Sequence, residues 1–285
     1  MTGVSGVEYN GTDLRTFGLY TNGNKTFSSP EKNYTKISIP GRSGDLYIWD
    51  GTYKNVNVTY DTIILPSPIF NTTSFETKFR NNVTAIKSAL LSANGYVRIE
   101  DTYNPDEYRL GVFTGPLDVD AVLLSAGKSK LTFNCRPERF LKSGEYEIAL
   151  NYSDDNAGVA NVVQNQTSFS SSPIFNITGD GTWRIWLYYL TGKYVHRFIV
   201  SVDGPEDDST LVVDFETLDA YLIKNSLKTN WNSHLSIESY TPIDGNINIM
   251  DDIGVLYSGS NTIRMRRLDG TNEGSAVLIP RWYNL

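Results

Sequence analysis

Residues 53–65 read Tyr-Lys-Asn-Val-Asn-Val-Thr-Tyr-Asp-Thr-Ile-Ile-Leu, and their alternation decides the fold class. Val56, Val58, Tyr60 and Ile64 fall on one face; Asn55, Asn57, Thr59 and Asp61 fall on the other. A period of two with apolar residues on one side describes a strand buried on one face only. Residues 96–100 (YVRIE) and 107–113 (EYRLGVF) read as two more strands, flanking a turn whose signal is Asn104-Pro105-Asp106. Further on, Leu131, Phe133 and Cys135 alternate within SKLTFNCRP, which makes Cys135 a small core residue.

One segment departs from this period. Phe75, Phe79, Val83, Ile86 and Leu90 recur three or four residues apart, the spacing of one helical stripe. Thr73-Ser74-Phe75-Glu76 fits a capping box, and Asn94-Gly95 supplies a stop, so the spacing predicts a helix within 73–94. One amphipathic helix among strands needs a sheet to cover, which makes the N-terminal part α+β. After Pro137 the period stays at two. Trp183, Ile185, Leu187 and Tyr189 alternate with Arg184, Trp186 and Tyr188. Phe198, Val200 and Val202 follow, and strands are expected again near 211–213, 262–266 and 276–280. Short strands separated by Gly, Asp and Asn turns describe an antiparallel sandwich. The expected fold class is therefore mainly β: a β-rich α+β N-terminal domain with one covering helix, then an antiparallel β-sandwich.

Composition supports this reading. The 285 residues are 40% hydrophobic and 20% charged, with 18 Tyr, a balance that can bury a core. The net charge of −7 is uneven: residues 1–142 hold 16 Lys+Arg against 14 Asp+Glu (+2), and residues 143–285 hold 9 against 18 (−9). That flip, together with Arg139–Glu145 as a connecting stretch, places a domain boundary between 1–142 and 143–285. So acidic a chain has no basic footprint for nucleic acid. No run approaches the ~20 apolar residues of a membrane span. The first eight residues lack a basic segment and an apolar stretch, which predicts synthesis in the cytoplasm without a signal peptide. Nine Asn-x-Ser/Thr triplets then reflect an Asn- and Thr-rich composition rather than glycosylation.

The sequence offers no catalytic constellation. It has no phosphate-binding glycine loop, no G-x-S-x-G elbow, no H-E-x-x-H and no C-x-x-C. Cys135 is the only cysteine, and His196 and His234 are the only histidines, each read as a polar residue beside a strand. Asp244-Gly245-Asn246-Ile247-Asn248 imitates a calcium loop, but Ile249 stands where Gly is needed and Val255 where the bidentate Glu belongs. The acidic run Asp203-Gly204-Pro205-Glu206-Asp207-Asp208 reads as a solvated turn. No metal, no cofactor and no enzymatic activity are expected. Trp186, Tyr188 and Tyr221 are candidates for a sugar-stacking platform, although packing on a sheet is the commoner use of such residues.

Several of these segments resemble those of the distal tail proteins of long-tailed phages, the siphovirus tail components. Pro40-Gly41-Arg42-Ser43-Gly44-Asp45-Leu46 is similar to a P-G-R-x-G-x-L loop of that family. The strand around Tyr60, the 73–94 helix and the 95–111 hairpin follow in its order. Residues 133–141 resemble the strand closing its first domain, and residues 213–221, 259–263 and 279–283 match segments of its second. The resemblance implies a first domain that forms a homohexameric ring at the end of the tail tube, and a galectin-like sandwich as the second. It implies that the ring joins the tube protein to the tail-tip protein, anchors receptor-binding proteins and sits at the distal end of the virion. Pro40, Gly41, Arg42, Ser43, Gly44 and Asp45 become the candidate assembly residues. Sugar binding by the galectin route is not implied, because neither His196-Arg197-Phe198 nor His234-Leu235-Ser236 continues as H-x-N-x-R. Nor does any of Trp183, Trp186, Trp231 and Trp282 have Glu three residues on. The alternative function is a saccharide-binding adhesin acting through the C-terminal sandwich.

Overall fold

The computed structural model describes residues 5–25, 28–66, 74–122, 126–154, 158–191, 194–205, 208–241 and 254–285. The chain forms two compact units, Met1–Phe140 and Leu141–Asn284. The fold is mainly β, with one α-helix among the described residues. No helix among them is long and apolar enough to cross a membrane.

Unit 1 runs through β1 (Val7–Tyr9), β2 (Thr12–Asp13), β3 (Leu19–Lys25), β4 (Lys32–Ser38), β5 (Asp45–Tyr53) and β6 (Val56–Ile64). Helix α1 (Phe75–Leu91), β7 (Val97–Asp101), β8 (Glu107–Phe113), β9 (Val119–Val122) and β10 (Ala126–Leu141) follow. The main sheet has the order β2-β1-β7-β8-β10-β6-β3, with β9 also on β10. β6 and β10 are antiparallel over nine register pairs, from Ile64↔Gly127 to Val56↔Cys135. Their alternation sends Val56, Val58, Tyr60, Leu131, Phe133 and Cys135 into the core. Phe133 is fully buried and meets Tyr9, Tyr60 and Phe113 at centroid distances of 5.3, 6.1 and 5.9 Å. The opposite face is polar: Asn134 Nδ2 donates to Asn57 Oδ1 at 3.0 Å, and the Thr59 and Thr132 hydroxyls are paired at 3.0 Å.

Ser74 caps α1 by accepting from the Thr77 N–H at 3.5 Å, while Thr73 lies outside the described residues. Glu76 pairs along the helix with Arg80. Phe79, Ile86 and Leu90 are buried, with Val83 packed beside them. Phe75 departs from the expected stripe and is 68% exposed. Helical side chains lean toward the N-terminus, so a residue at the first helical position projects past the end of the helix. Asn82 is fully buried, a core position the apolar stripe could not reveal, and its amide donates to the Leu65 carbonyl at 2.7 Å.

Unit 2 comprises β11 (Ile148–Leu150), β12 (Val159–Asn165), β13 (Ile174–Thr178), β14 (Thr182–Thr191), β15 (Tyr194–Asp203) and β16 (Thr210–Asp214). Then come β17 (Asp219–Lys224), β18 (Leu227–Asn230), β19 (Leu235–Thr241), β20 (Gly259–Leu268) and β21 (Ser275–Ile279). One sheet has the order β11-β21-β13-β16-β17-β18, the other β12-β20-β14-β15-β19. Phe175, Ile177, Leu211 and Val213 of the first share one core with Trp183, Ile185, Leu187, Val200 and Met265 of the second. Two antiparallel sheets with one shared apolar layer make a sandwich. Trp183 is fully buried and satisfied, its indole N–H donating to the Gly179 carbonyl at 3.1 Å.

A carboxylate clasps two turns of this sandwich. Asp180 accepts from the Thr271 hydroxyl at 2.5 Å and N–H at 2.9 Å, and from the Asn272 N–H at 2.9 Å. These donors, Thr271 Oγ1 first, lower its pKa to about 2.

Two outcomes follow. Phe133→Ala removes the ring that three others pack against and should cost about 3–5 kcal/mol, read by urea unfolding; a loss below ~1 kcal/mol would contradict this core. Asp180 is depressed in the folded state, so its stabilisation is present above the unfolded carboxylate range and is lost as pH falls through about 2. Asp180→Asn should therefore melt lower at pH 7, and the gap from the parent protein should close between pH ~4 and ~2.

Candidate assembly surface

The candidate residues Pro40–Asp45 lie at the tip of a hairpin that stands apart from the main sheet. β4 and β5 pair only with each other, in a two-stranded sheet with the register Tyr34↔Trp49, Lys36↔Tyr47, Ile37↔Leu46 and Ser38↔Asp45. At the tip the Arg42 N–H donates to the Ile39 carbonyl at 3.2 Å. Pro40 then occupies the second position of a four-residue turn and Gly41, at φ +79°, the third, which is the type II pattern. Gly44 also takes a left-handed φ, of +84°. At the base, the Lys54 N–H donates to the Glu31 carbonyl at 2.8 Å and the two side chains form an ion pair at 3.2 Å.

The hairpin interrupts an adjacent pair. β3 and β6 are neighbours in the main sheet, with Leu19 opposite Ile64, and the chain between them makes the excursion. Its two faces differ chemically. Alternation puts Tyr34, Lys36, Tyr47 and Trp49 on one side, and Thr35, Ile37, Leu46 and Ile48 on the other. On the first, Tyr34 and Tyr47 meet edge to face at 5.8 Å, Lys36 pairs with Asp45 at 2.8 Å, and the Lys32 ammonium lies 4.4 Å from the Trp49 ring centroid. The second is aliphatic. Neither is covered: Tyr47 is 57% exposed, Ile48 48% and Trp49 44%.

A two-stranded hairpin is marginal by itself in water, and a contiguous apolar patch on one marks a contact surface. The sequence reading found the tip through its Pro-Gly-Arg-x-Gly turn but missed Tyr34, Ile37, Leu46, Tyr47, Ile48 and Trp49, which carry the surface. The available signal was an apolar alternation on both sides of that turn. Elsewhere on unit 1, an open groove of about 690 Å³ lies between α1 and the β9 segment, lined by Val83 and Val119 and by charges of both signs, Arg80 and Lys87 with Asp118 and Asp120.

The other candidate residues are dispersed. Trp186 lies on β14 and Tyr221 on β17, in different sheets of the sandwich, each on the face opposite its buried neighbours, so the platform expected from Trp186, Tyr188 and Tyr221 does not form. Lys228 instead covers Tyr221, its ammonium 3.3 Å from the ring centroid. His234 sits in a 3-10 turn, stacks on Trp231 at 4.0 Å and approaches Asp203 at 3.5 Å; the His196 side chain lies outside the described part. Of the acidic run, Asp208 pairs with Lys224 at 2.8 Å, whereas Glu206 and Asp207 lie outside the described residues, as does the calcium-like stretch from Asp244 to Asp252. Among the described residues, no group of three or more His, Cys, Asp or Glu side chains could hold a metal ion. Cys135 is fully buried, and that burial pushes its thiol up to about 11, so the nucleophilic thiolate is scarce at neutral pH.

No family model matches the chain, and no curated protein does. Among solved structures, the chain is similar to the SPP1 Dit protein, described as a paradigm of the hub adsorption apparatus in phages infecting Gram-positive bacteria. The match covers 97% of this chain and 98% of that one, at 15% identity and a TM-score of 0.61, which shows a shared fold. A phage P2 baseplate in its activated conformation with Ca also matches, over 98% of both chains at 9% identity and a TM-score of 0.48.

The thiol supplies a direct check on the unit 1 core. Cys135, the only cysteine, should react with a thiol reagent at pH 8 only as the protein unfolds; stoichiometric labelling of the folded chain within minutes would show that β10 does not bury it.

Proposed function

We propose that this chain is a structural hub of a phage tail tip, and that it forms a homohexameric ring through the β4–β5 hairpin. The observation that carries the reading is the uncovered hairpin, aromatic on one face and aliphatic on the other, in a chain that shares its fold with a hub adsorption protein. The hairpin's occupant is a second copy. Lys32, Lys36 and Arg42 give the arm cationic groups, and a groove on the same unit is lined by both signs of charge, Asp118 and Asp120 with Arg80 and Lys87. An arm and a receiving surface on different parts of one chain make a head-to-tail contact, and a head-to-tail contact that closes is a ring.

In this reading the N-terminal domain, residues 1–142, is the ring and the sandwich, residues 143–285, is the galectin-like outer domain. Pro40–Asp45 shape the tip that enters the neighbouring copy. The near-neutral charge of 1–142 limits repulsion among six packed copies, and the −9 of each 143–285 segment is tolerated where those segments stand apart. The ring's further partners are the tail tube protein on one side, the tail-tip protein on the other and receptor-binding proteins at the rim, which places the protein at the distal end of the virion. The role is architectural, without a catalytic step.

Replacing residues 28–54 with a short Gly-Ser linker tests this, because β3 and β6 already adjoin. The parent should give rings in averaged particle images and a hexamer or double hexamer by light scattering; the shortened variant should stay folded and monomeric. Ile48→Ser, at an exposed position, should leave unfolding of the single chain within about 0.5 kcal/mol of the parent while weakening the ring. A folded parent that remains monomeric at micromolar concentration, or a shortened variant that still forms rings, would overturn the proposal.

A further inference from the structure

The chain holds three Asn-Gly pairs, at residues 10–11, 22–23 and 94–95, and the fold treats them differently. Asn10 and Gly11 are the two turn residues of the β1–β2 hairpin, with Tyr9 opposite Thr12 and φ of +51° and +74°, the type I′ pattern. The Asn10 N–H donates to the Arg98 carbonyl at 2.9 Å, which ties this turn to β7 as well. Asn22 and Gly23 lie inside β3, between Thr21 opposite Thr62 and Lys25 opposite Tyr60. Asn94 and Gly95 stand in the link from α1 to β7, and both are exposed. This link is held near its ends, where the Ser92 hydroxyl donates to the Ala89 carbonyl at 2.8 Å and the Tyr96 hydroxyl accepts from the Asn55 amide. Among the described residues, none is hydrogen-bonded to Asn94 or Gly95.

Gly95 does not serve as the left-handed stop of α1. The helix ends at Leu91 with Ser92 as its cap, Gly95 does not take a positive φ, and a Cβ built on it would meet nothing within 4 Å. What the pair does carry is reactivity. Glycine has no side chain, so its amide nitrogen is open to approach and its backbone turns freely. In an unrestrained Asn-Gly pair that nitrogen attacks the side-chain carbonyl carbon of the Asn. The new C–N bond closes a cyclic imide, the glycine N–H proton passes to solvent, and the side-chain nitrogen leaves as ammonia. Water then opens the imide at one of its two carbonyls and gives aspartate or isoaspartate. The attack needs the Asn backbone to rotate out of its resting conformation. A paired hairpin turn and a strand in a sheet resist that rotation, whereas a link without hydrogen bonds permits it.

We infer that Asn94 is a site of spontaneous modification, deamidated through the imide to aspartate and isoaspartate ahead of the other two pairs. Either product adds a carboxylate just past the end of α1, where the peptide dipoles already present negative charge and the last turn carries no basic residue. Isoaspartate also carries the main chain through the side-chain carbon, which lengthens the link to β7. This goes beyond the hub reading and does not depend on ring formation.

The test keeps the full chain in warm, mildly alkaline buffer and follows it by peptide mass mapping. Trypsin cuts after Arg15, Lys25, Lys87 and Arg98, which places the three pairs in separate peptides, 1–15, 16–25 and 88–98. Peptide 88–98 should gain about 1 Da, with isoaspartate located at position 94 by fragmentation, at least about fivefold faster than either other peptide gains it at its Asn-Gly pair. In urea, where no turn or strand restrains them, the three rates should converge. Gly95→Ala fits the open space, so it should keep the circular dichroism of the parent while slowing the change at 94 about tenfold. Equal rates in the folded chain, a difference that persists in urea, or a Gly95→Ala chain modified as fast as the parent would each overturn the inference.

Discussion

The antiparallel pairing of β6 with β10 is the constraint on which unit 1 depends. Once Tyr60 stands opposite Leu131, every neighbouring side chain is committed to one face, because a slip of one residue would turn the apolar set to solvent. Phe133 enforces that register, since its ring must meet Tyr9, Tyr60 and Phe113 together. The register fixes the polar ladder of the opposite face at the same time, so Asn57 reaches Asn134 and Thr59 reaches Thr132. It also frees the β4–β5 hairpin. With β3 already seated against β6, the chain between them carries no part of the main sheet and can be given over to another task.

Unit 2 obeys the same rule with a different result. Its two sheets share one apolar layer, so each strand has one buried face and one outward face to spend on solvent or a partner. On β16 and β17 the outward positions are ordinary sheet packing, with Val212 opposite Tyr221 and Lys228 over the Tyr221 ring. On β14 and β20 they are Arg, Trp, Tyr and Thr. Nothing in the core requires that composition, since Trp183, Ile185 and Met265 pack inward whatever their neighbours present to solvent.

The strands of the main sheet and of the sandwich were legible because burial on one face writes a period of two into the chain. Residues 53–65, 129–137 and 183–189 all show it, and β6, β10 and β14 bear it out. The helix was legible from its apolar stripe, while Phe75 and Asn82 were not. The first lies where a helix ends, so its direction depends on what stands beyond the helix. The second is a polar residue whose burial rests on a carbonyl, that of Leu65, which sequence spacing cannot locate. The grouping of Trp186, Tyr188 and Tyr221 failed for a related reason: a local period gives the face of a strand but not the sheet to which the strand belongs.

The hairpin shows the deeper limit. Its tip was visible, because Pro-Gly-Arg-x-Gly has few conformations open to it. Its arms were invisible to a search for one-sided burial, because both faces of β4 and β5 carry apolar residues and the chain buries neither. In a strand that serves its own core, polar and apolar positions alternate since water takes one side. In β4 and β5 Tyr alternates with Ile without serving the core of their unit, so one-sided burial left no period there to read. Apolar residues on both faces of one ordered hairpin make a contiguous exposed set, which separates Tyr47 and Ile48 from the exposed Leu91 at the end of a helix.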